Sequence, residues 1–300
     1  MLADTCSPVA VLMSVYAGDT LAAFSAATES IIQQQDVDRA IRIYLAVDGP
    51  LAPDVENWLS ENSQKMHLIS RSRRNLGLAK SLNRIIMLLD DEEYIFRMDS
   101  DDLCLPNRFS LQINYLDSNR YTDILGGAVI EQDVESREFR LCHYPLTHDQ
   151  ILKKLVRLCP VAHPTVVFRK HVLDVTGGYP LARTTQDLAM WFECLQKGFQ
   201  FANLPQPLVI MNVDRAFYDR RSLKKGWREF RIYLNGIRRT QGYSWVMIYP
   251  FARLATRMAP VWVRRRVYRS SLRRPQTSLD IDTDLAVVAT QILGKRQRNV

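Results

Sequence analysis

The chain has 300 residues, 47% hydrophobic, 24% charged and 9% aromatic, a balance that excludes a disordered tail, a collagen-like repeat and a polytopic membrane protein. The formal net charge is +8, but residues 215–274 alone carry 17 Lys/Arg against 2 Asp/Glu, so that segment stands at +15 and the rest of the chain at −7. Five scattered cysteines without a CxxC pair argue against a disulfide framework or a zinc site and for a reducing, cytoplasmic compartment.

The N-terminus lacks a basic region and places Asp4 ahead of its apolar run, which predicts no signal peptide. Short β-rich runs at 9–15, 41–47, 66–69 and 94–98 read as strands, bounded by polar residues or glycine. Between the first two, Leu21, Phe24, Thr28, Ile31 and Ile32 recur at helical spacing. After the third, Leu78, Leu82, Ile85, Ile86 and Leu89 do the same behind the turn signal Asn75-Leu76-Gly77. Strand–helix alternation predicts an α/β fold with a mostly parallel sheet and helices on both faces. Ligands then gather at the carboxyl ends of the strands. The segments found there are Tyr16-Ala17-Gly18-Asp19, Asp48-Gly49-Pro50, residues 71–75, and Asp99-Ser100-Asp101-Asp102.

Further strands are predicted at 122–130 and 166–168, then a Gly177-Gly178-Tyr179-Pro180 turn, a helix from Gln186 to about Gln196, and a short run at 208–211 after the punctuating Pro205 and Pro207. In the basic segment Leu223, Trp227, Phe230, Leu234 and Ile237 step by 4, 3, 4 and 3, an apolar stripe with Lys224, Lys225, Arg228, Arg231 and Arg238 off it. Residues 243–263 are apolar but broken by Pro250, Arg253, Arg257 and Pro260, which rules out a spanning helix of about 20 apolar residues. Arg264-Arg265-Arg266, Arg269, Arg273 and Arg274 close the block, ahead of a polar or partly helical tail. The expected division is a catalytic unit over 1–214, a basic helical extension over 215–275 and the tail over 276–300.

Three carboxylates within four residues, Asp99, Asp101 and Asp102, repel one another unless a cation or hydrogen-bond donors compensate. Such hard oxygen ligands suit Mg²⁺ or Mn²⁺ shared with substrate phosphates; the alternative is a solvated acidic turn capping the next helix. The order of VAVLMSVYAGD, LAVDGP, RNLGLAKSLNRII, YIFRMDSDDLCLPNRFSLQ, AHPTVVFRK, TGGYP and TTQDLAMWFEC resembles family 2 glycosyltransferases with the GT-A fold, over roughly two-thirds of the chain. The resemblance implies a Rossmann-like sheet and a nucleotide-sugar donor, UDP-hexose being the commonest. It implies Asp99 and Asp101 as the metal-holding DxD, with Asp102 behind them, and Asp99 at the donor too. Asp48 matches the aspartate at the nucleotide base. Ser14 and Tyr16 match the nucleoside loop, and Asn75, Gly77 and Lys80 the segment beside the nucleotide; Lys80 reads equally well as a solvated helix lysine. Asp187 matches the general base of an inverting transfer. Its usual neighbour, Glu, is here Gln186. On the acceptor side the resemblance places His163, Gly178, Tyr179 and Trp191.

The pattern of processive synthases and their transmembrane helices is missing, which favours single-sugar transfer. The basic extension fits an anionic membrane surface, hence a lipid-linked glycan acceptor and a peripheral position on the cytoplasmic face of the membrane, as in exopolysaccharide, capsule or O-antigen assembly. Packing on the catalytic unit with solvated charges is the plainer reading of the same segment. Two other functions compete. A catalytically inactive GT-A-like assembly subunit is permitted by Gln186. A nucleic-acid-binding protein would use the +15 segment, but its phosphates would meet an acidic cleft, so no nucleic acid is expected.

Overall fold

Strand β1 (Val9–Val15) is VAVLMSV, and every side chain but Ser14 is buried, as a strand covered on both faces requires. Its side chains alternate between two cores, Ala10 and Leu12 facing one, Val9, Val11, Met13 and Val15 the other. The computed structural model describes residues 6–133, 138–182, 185–213, 223–258 and 276–278. β1 pairs in parallel with β2 (Ile41–Asp48) and β4 (Tyr94–Arg97), and β2 pairs in parallel with β3 (Leu68–Ser72). The parallel order is therefore β3-β2-β1-β4, and all four carboxyl ends open on one edge. Beyond β4 lie β8 (Val167–Arg169), antiparallel, then β6 (Ile124–Asp133) and β7 (Phe139–Cys142). β9 (Phe201–Val213) runs parallel to β6 and also holds the two-residue β5 (Leu103–Cys104).

Helices α1 (Leu21–Ile32), α2 (Pro53–Glu61) and α4 (Arg108–Ser118) cover one face, and α3 (Leu78–Ile86) and α7 (Gln186–Gln196) the other. Two short helices, α5 (His148–Leu155) and α6 (Lys170–Thr176), flank β8 in the chain. In α1 the predicted stripe is buried at Phe24, Thr28 and Ile31, whereas Ile32 is exposed at the helix end. The strand expected at 208–211 is the end of a thirteen-residue strand. Pro205 and Pro207 sit where the β6–β9 register shifts at Gly127 and Ala128, and the bulge accommodates prolines that lack a ladder donor.

Helices α8 (Leu223–Gln241) and α9 (Ile248–Met258) follow. The buried face of α8 carries Glu229, Phe230, Tyr233 and Ile237, while Trp227 is exposed, so the stripe expected through Trp227 and Leu234 is turned by about one residue. Gly236 sets that rotation: a Cβ there would come within 2.3 Å of the Phe192 ring on α7, so the helices touch backbone to ring. Tyr233 and Ile237 thereby join the core of the α7 face. Residues 276–278 form a strand, β10, antiparallel to β7. The rest of the expected tail, residues 215–222 and the arginines from Arg264 to Arg274 lie outside the described residues, as do the side chains of Lys224, Lys225 and Arg257.

Candidate active site

The carboxyl edges of β1, β2 and β4 bring three loops together. Arg97, the last residue of β4, is buried; it donates to the Leu12 carbonyl of β1 at 3.2 Å and pairs with the Asp99 carboxylate. The strand end is braced from behind by Arg108, fully buried, whose guanidinium reaches the Arg97 carbonyl at 2.8 Å. Phe109 stacks on Phe96 with ring centroids 4.2 Å apart. The Arg108-Phe109 pair after the acidic motif therefore fixes its strand.

Asp101 stands exposed at the rim, yet its carboxyl is pushed up to about 6, first by the protein packed around it and then by the Asp99 and Asp19 carboxylates. Asp102 is buried; it accepts from the Asn212 backbone N–H at 3.3 Å, and burial with Asp99 and Asp101 raises its pKa well above the usual range. Asn212 also donates its side-chain amide to the Asp101 carbonyl, so β9 ties down the turn. Asp19 accepts from the Tyr16 backbone N–H and from Ser100 Oγ, both at 2.9 Å, which links the loop after β1 to the loop after β4. Burial raises the Asp19 pKa against those bonds, and Asp99 raises it further. Asp19 received no role from the sequence, although its loop was singled out; the carboxylate at a strand end was the available signal. Ser14 is partly buried on β1 and Tyr16 exposed in the same loop.

Asp48 ends β2, buried, and its two carboxylate oxygens accept the backbone N–H groups of Leu76 and Gly77 at 2.7 and 3.0 Å. Asn75 donates to the Asp48 carbonyl at 3.4 Å. Gly77, with φ 87°, caps α3 and aims those N–H groups back at Asp48. This aspartate fixes the 75–77 loop beside the cleft. Lys80 is exposed on the first turn of α3.

The other side of the site is built by α7 and two turns. Asp187 lies in the first turn of α7, partly buried, its Oδ2 3.9 Å from the Cys159 thiol. Thr185 before it adopts a left-handed φ of 60°, an uncommon conformation for a β-branched residue. His163 Nε2 shares a hydrogen bond with the Tyr179 hydroxyl at 2.9 Å. Burial, with the Arg97 cation second, pushes the His163 pKa down to about 3, so the ring is neutral at physiological pH. Burial raises the Tyr179 hydroxyl far up. Arg97 lowers it, while the Asp99 and Asp187 carboxylates each raise it a little further. Gly178 has φ 92°, and a Cβ there would meet Asn83 Oδ1 at 2.6 Å. Asn83 on α3 exchanges two bonds with Tyr179, accepting from its N–H at 2.7 Å and donating to its carbonyl at 2.8 Å. Trp191 is buried on the inward face of α7, stacked on Phe168 with centroids 6.0 Å apart and edge-on to His163 at 6.2 Å, so it reaches the site through that histidine.

Among the described residues no group of three or more His, Cys, Asp or Glu is gathered to hold a metal ion. The strand-end loops offer carboxylate oxygens, and Asp99 already shares one of its oxygens with Arg97. This fits a hard divalent cation held by one or two carboxylates and completed by substrate phosphates, the usual Mg²⁺ arrangement. Asp101 and Asp99 would hold it.

The sequence pattern of Glycosyl transferase family 2 matches residues 11–177. The chain belongs to this family. It is 32% identical over 265 residues to the amylovoran biosynthesis glycosyltransferase AmsE of Erwinia amylovora, covering 86% of this chain and 97% of that one. It is 24% identical over 277 residues, 91% and 99% of the two chains, to a UDP-Gal:alpha-D-GlcNAc-diphosphoundecaprenol beta-1,3-galactosyltransferase of Escherichia coli. In structure it resembles residues 1–349 of S. aureus TarS in complex with UDP-GlcNAc (TM-score 0.60, 14% identity, 96% of this chain and 80% of that one). It also resembles the mannosyltransferase PcManGT of Pyrobaculum calidifontis in complex with GDP-Man and Mn²⁺ (TM-score 0.58, 12% identity, 98% and 87%). The fold is GT-A, and the protein is a glycosyltransferase. No helix among the described residues is long and apolar enough to cross a membrane.

Proposed function

We propose that this glycosyltransferase moves one sugar, with inversion, from a UDP-sugar to a lipid-linked glycan in bacterial surface polysaccharide synthesis, working from the cytoplasmic face of the membrane. The observation that carries this reading is the gathering of acidic loops at the carboxyl ends of the parallel strands, where Asp19 accepts from Ser100 and Arg97 pairs with Asp99. In that reading the acceptor hydroxyl attacks the anomeric carbon and passes its proton to Asp187, while the bond to the diphosphate oxygen breaks and the nucleoside diphosphate leaves with the electron pair. Asp101 and Asp99 would hold a Mg²⁺ or Mn²⁺, which when bound would offset the charge developing on the departing oxygens. In the same reading Asp48 keeps the 75–77 loop against the nucleotide. The neutral His163–Tyr179 pair supplies a hydrogen-bonding wall to the acceptor rather than a proton.

The UDP donor draws support from the Escherichia coli relative and from TarS, the metal from PcManGT, and the lipid-linked acceptor from the Escherichia coli relative alone. The basic C-terminal helices support the membrane surface as partner. A panel of nucleotide sugars with Mn²⁺ or Mg²⁺, read by thermal shift and donor hydrolysis, tests the reading. A UDP-sugar raises the Tm only with metal present, and Asp101→Ala abolishes that rise. Absence of any metal-dependent shift across the panel would sink it.

A further inference from the structure

The C-terminal helices leave a surface that transfer chemistry does not use. Among the described side chains of α9 the exposed ones are Ile248, Phe251, Ala252 and Ala255, all apolar. Ile248 is 62% and Phe251 55% exposed, and Trp245, in the short turn before α9, is 71% exposed. Across the Phe230–Phe251 contact, 4.9 Å between centroids, lies α8, whose Trp227 is 54% exposed. Arg228, Arg231, Arg238 and Arg239 are exposed on α8 as well, and its one acid, Glu229, is buried and paired with Arg253. Exposed tryptophans and aliphatics beside an arginine-rich face are not what an ordinary solvated helix pair presents.

We infer that Trp245, Ile248 and Phe251 enter the headgroup boundary of an anionic bilayer, with Trp227 and the α8 arginines seated on its surface. This deepens, and rests on, the membrane part of the reading above; it moves the inserting face from the α8 stripe to α9 and its preceding turn. An anionic lipid surface is the occupant because the exposed charges of α8 are all cationic, and because aromatic and aliphatic side chains beside arginines suit an interface with an apolar and a wet side. The opposite face of α9 explains why the seat matters. Arg253 donates to the Arg157 carbonyl at 3.2 Å, and the Arg157 guanidinium lies 4.4 Å from the Tyr249 ring centroid. Two residues on from Arg157, Cys159 touches Asp187. The helix on the lipid thus grips the loop beside Asp187.

The test is flotation with vesicles of 30% phosphatidylglycerol in phosphatidylcholine against phosphatidylcholine alone, at low and high salt. Wild type floats with the anionic vesicles at least tenfold more than with the neutral ones. The triple variant Trp245→Ser/Ile248→Ser/Phe251→Ser loses binding at least tenfold while keeping its Tm and its UDP-sugar thermal shift. Arg228→Gln/Arg231→Gln/Arg238→Gln weakens binding and removes most of its salt dependence. Equal flotation of wild type and the Trp245/Ile248/Phe251 variant overturns the inference. So does a switch from dimer to monomer in that variant with flotation unchanged, which would make the face a contact between copies. Flotation that persists while no nucleotide sugar shifts the Tm would sink the enzymatic reading and leave the docking face standing.

Discussion

On the strand-end side of the cleft, Asp48, Asp99 and Asp101 end or directly follow the parallel strands β2 and β4, so their positions are inherited from the sheet register. Ser14 stands opposite Ala46 on β2 and Leu12 opposite Arg97 on β4, and the loops beyond them cannot avoid one another. On the α7 side nothing comparable exists. Tyr179 is held by Asn83, 96 residues away in the chain; Asp187 meets Cys159 across 28; and α9 reaches the 157 loop across 96. One half of the site is written into contiguous motifs, whereas the other exists only when distant turns and helices dock. In the proposed reading, donor recognition falls to the strand-end half, and acceptor recognition to a half whose geometry depends on packing.

The largest effect tests the division directly. Asp187→Asn keeps the shape of α7 and removes the proton acceptor, so transfer falls about 10²–10⁴-fold while the metal-dependent UDP-sugar thermal shift stays at its wild-type value. Steady-state transfer assays beside donor binding separate the two; parallel loss of both would make the residue structural and erase the distinction between the halves.

Arg253→Met probes how far the C-terminal helices hold the α7 side. It removes the Arg253 cation from the Glu229 carboxylate, only 6% exposed, and drops the bond to the Arg157 carbonyl. Removing one partner of a wholly buried pair costs about 3–5 kcal/mol. Arg253 keeps 23% exposure, which brings the loss toward the lower figure. Urea denaturation should record it, with transfer reduced more than donor binding. Adding Glu229→Gln recovers part of the stability, because the buried group that lost Arg253 then carries no charge.

Gly178→Ala bears on the same side with a smaller change. The backbone at φ 92° disfavours any side chain, and the new methyl would displace Asn83 from Tyr179. About 1–3 kcal/mol is expected from backbone strain of this kind, read by urea denaturation, with KM for the acceptor rising and the donor thermal shift intact.

These contrasts also account for what the sequence made legible. The strand-end motifs were readable because short apolar runs, a helical stripe and a carboxylate in the following loop lie within a few residues of one another. The long β9 was not, since Pro205 and Pro207 mimic a break unless a bulge in β9 opposite Gly127 and Ala128 is known to hold them. The burial of Trp191 was out of reach for a related reason. A motif gives its position along α7 and not the side of the helix that faces Phe168. The rotation of α8 depended on Gly236 meeting Phe192, a contact that no periodicity contains. Asp19 sat in a loop already marked, but its tie to Ser100 crosses 81 residues.

The smallest effect concerns the strand-end half and its charge. Packed protein and the Asp99 and Asp19 carboxylates hold the Asp101 pKa at about 6, above the ordinary value of 3.8. Between those two pH values the folded chain binds more protons at this site than the unfolded chain does, so its contribution to stability falls as pH rises. The cost is absent below about pH 4 and fully present above about pH 6. Metal-free Asp101→Asn should therefore melt slightly above wild type at pH 7.5, with the gap closing as the pH is lowered to 4. Mn²⁺ should raise the wild-type Tm at pH 7.5, leave the variant unmoved, and lose its effect on wild type below pH 6, where a proton competes for the same carboxylate. If the two proteins melted together at every pH, the acidic rim would be as relaxed as any solvated turn, and the contrast between a charged, preformed half and a packed, assembled half would lose its electrostatic basis.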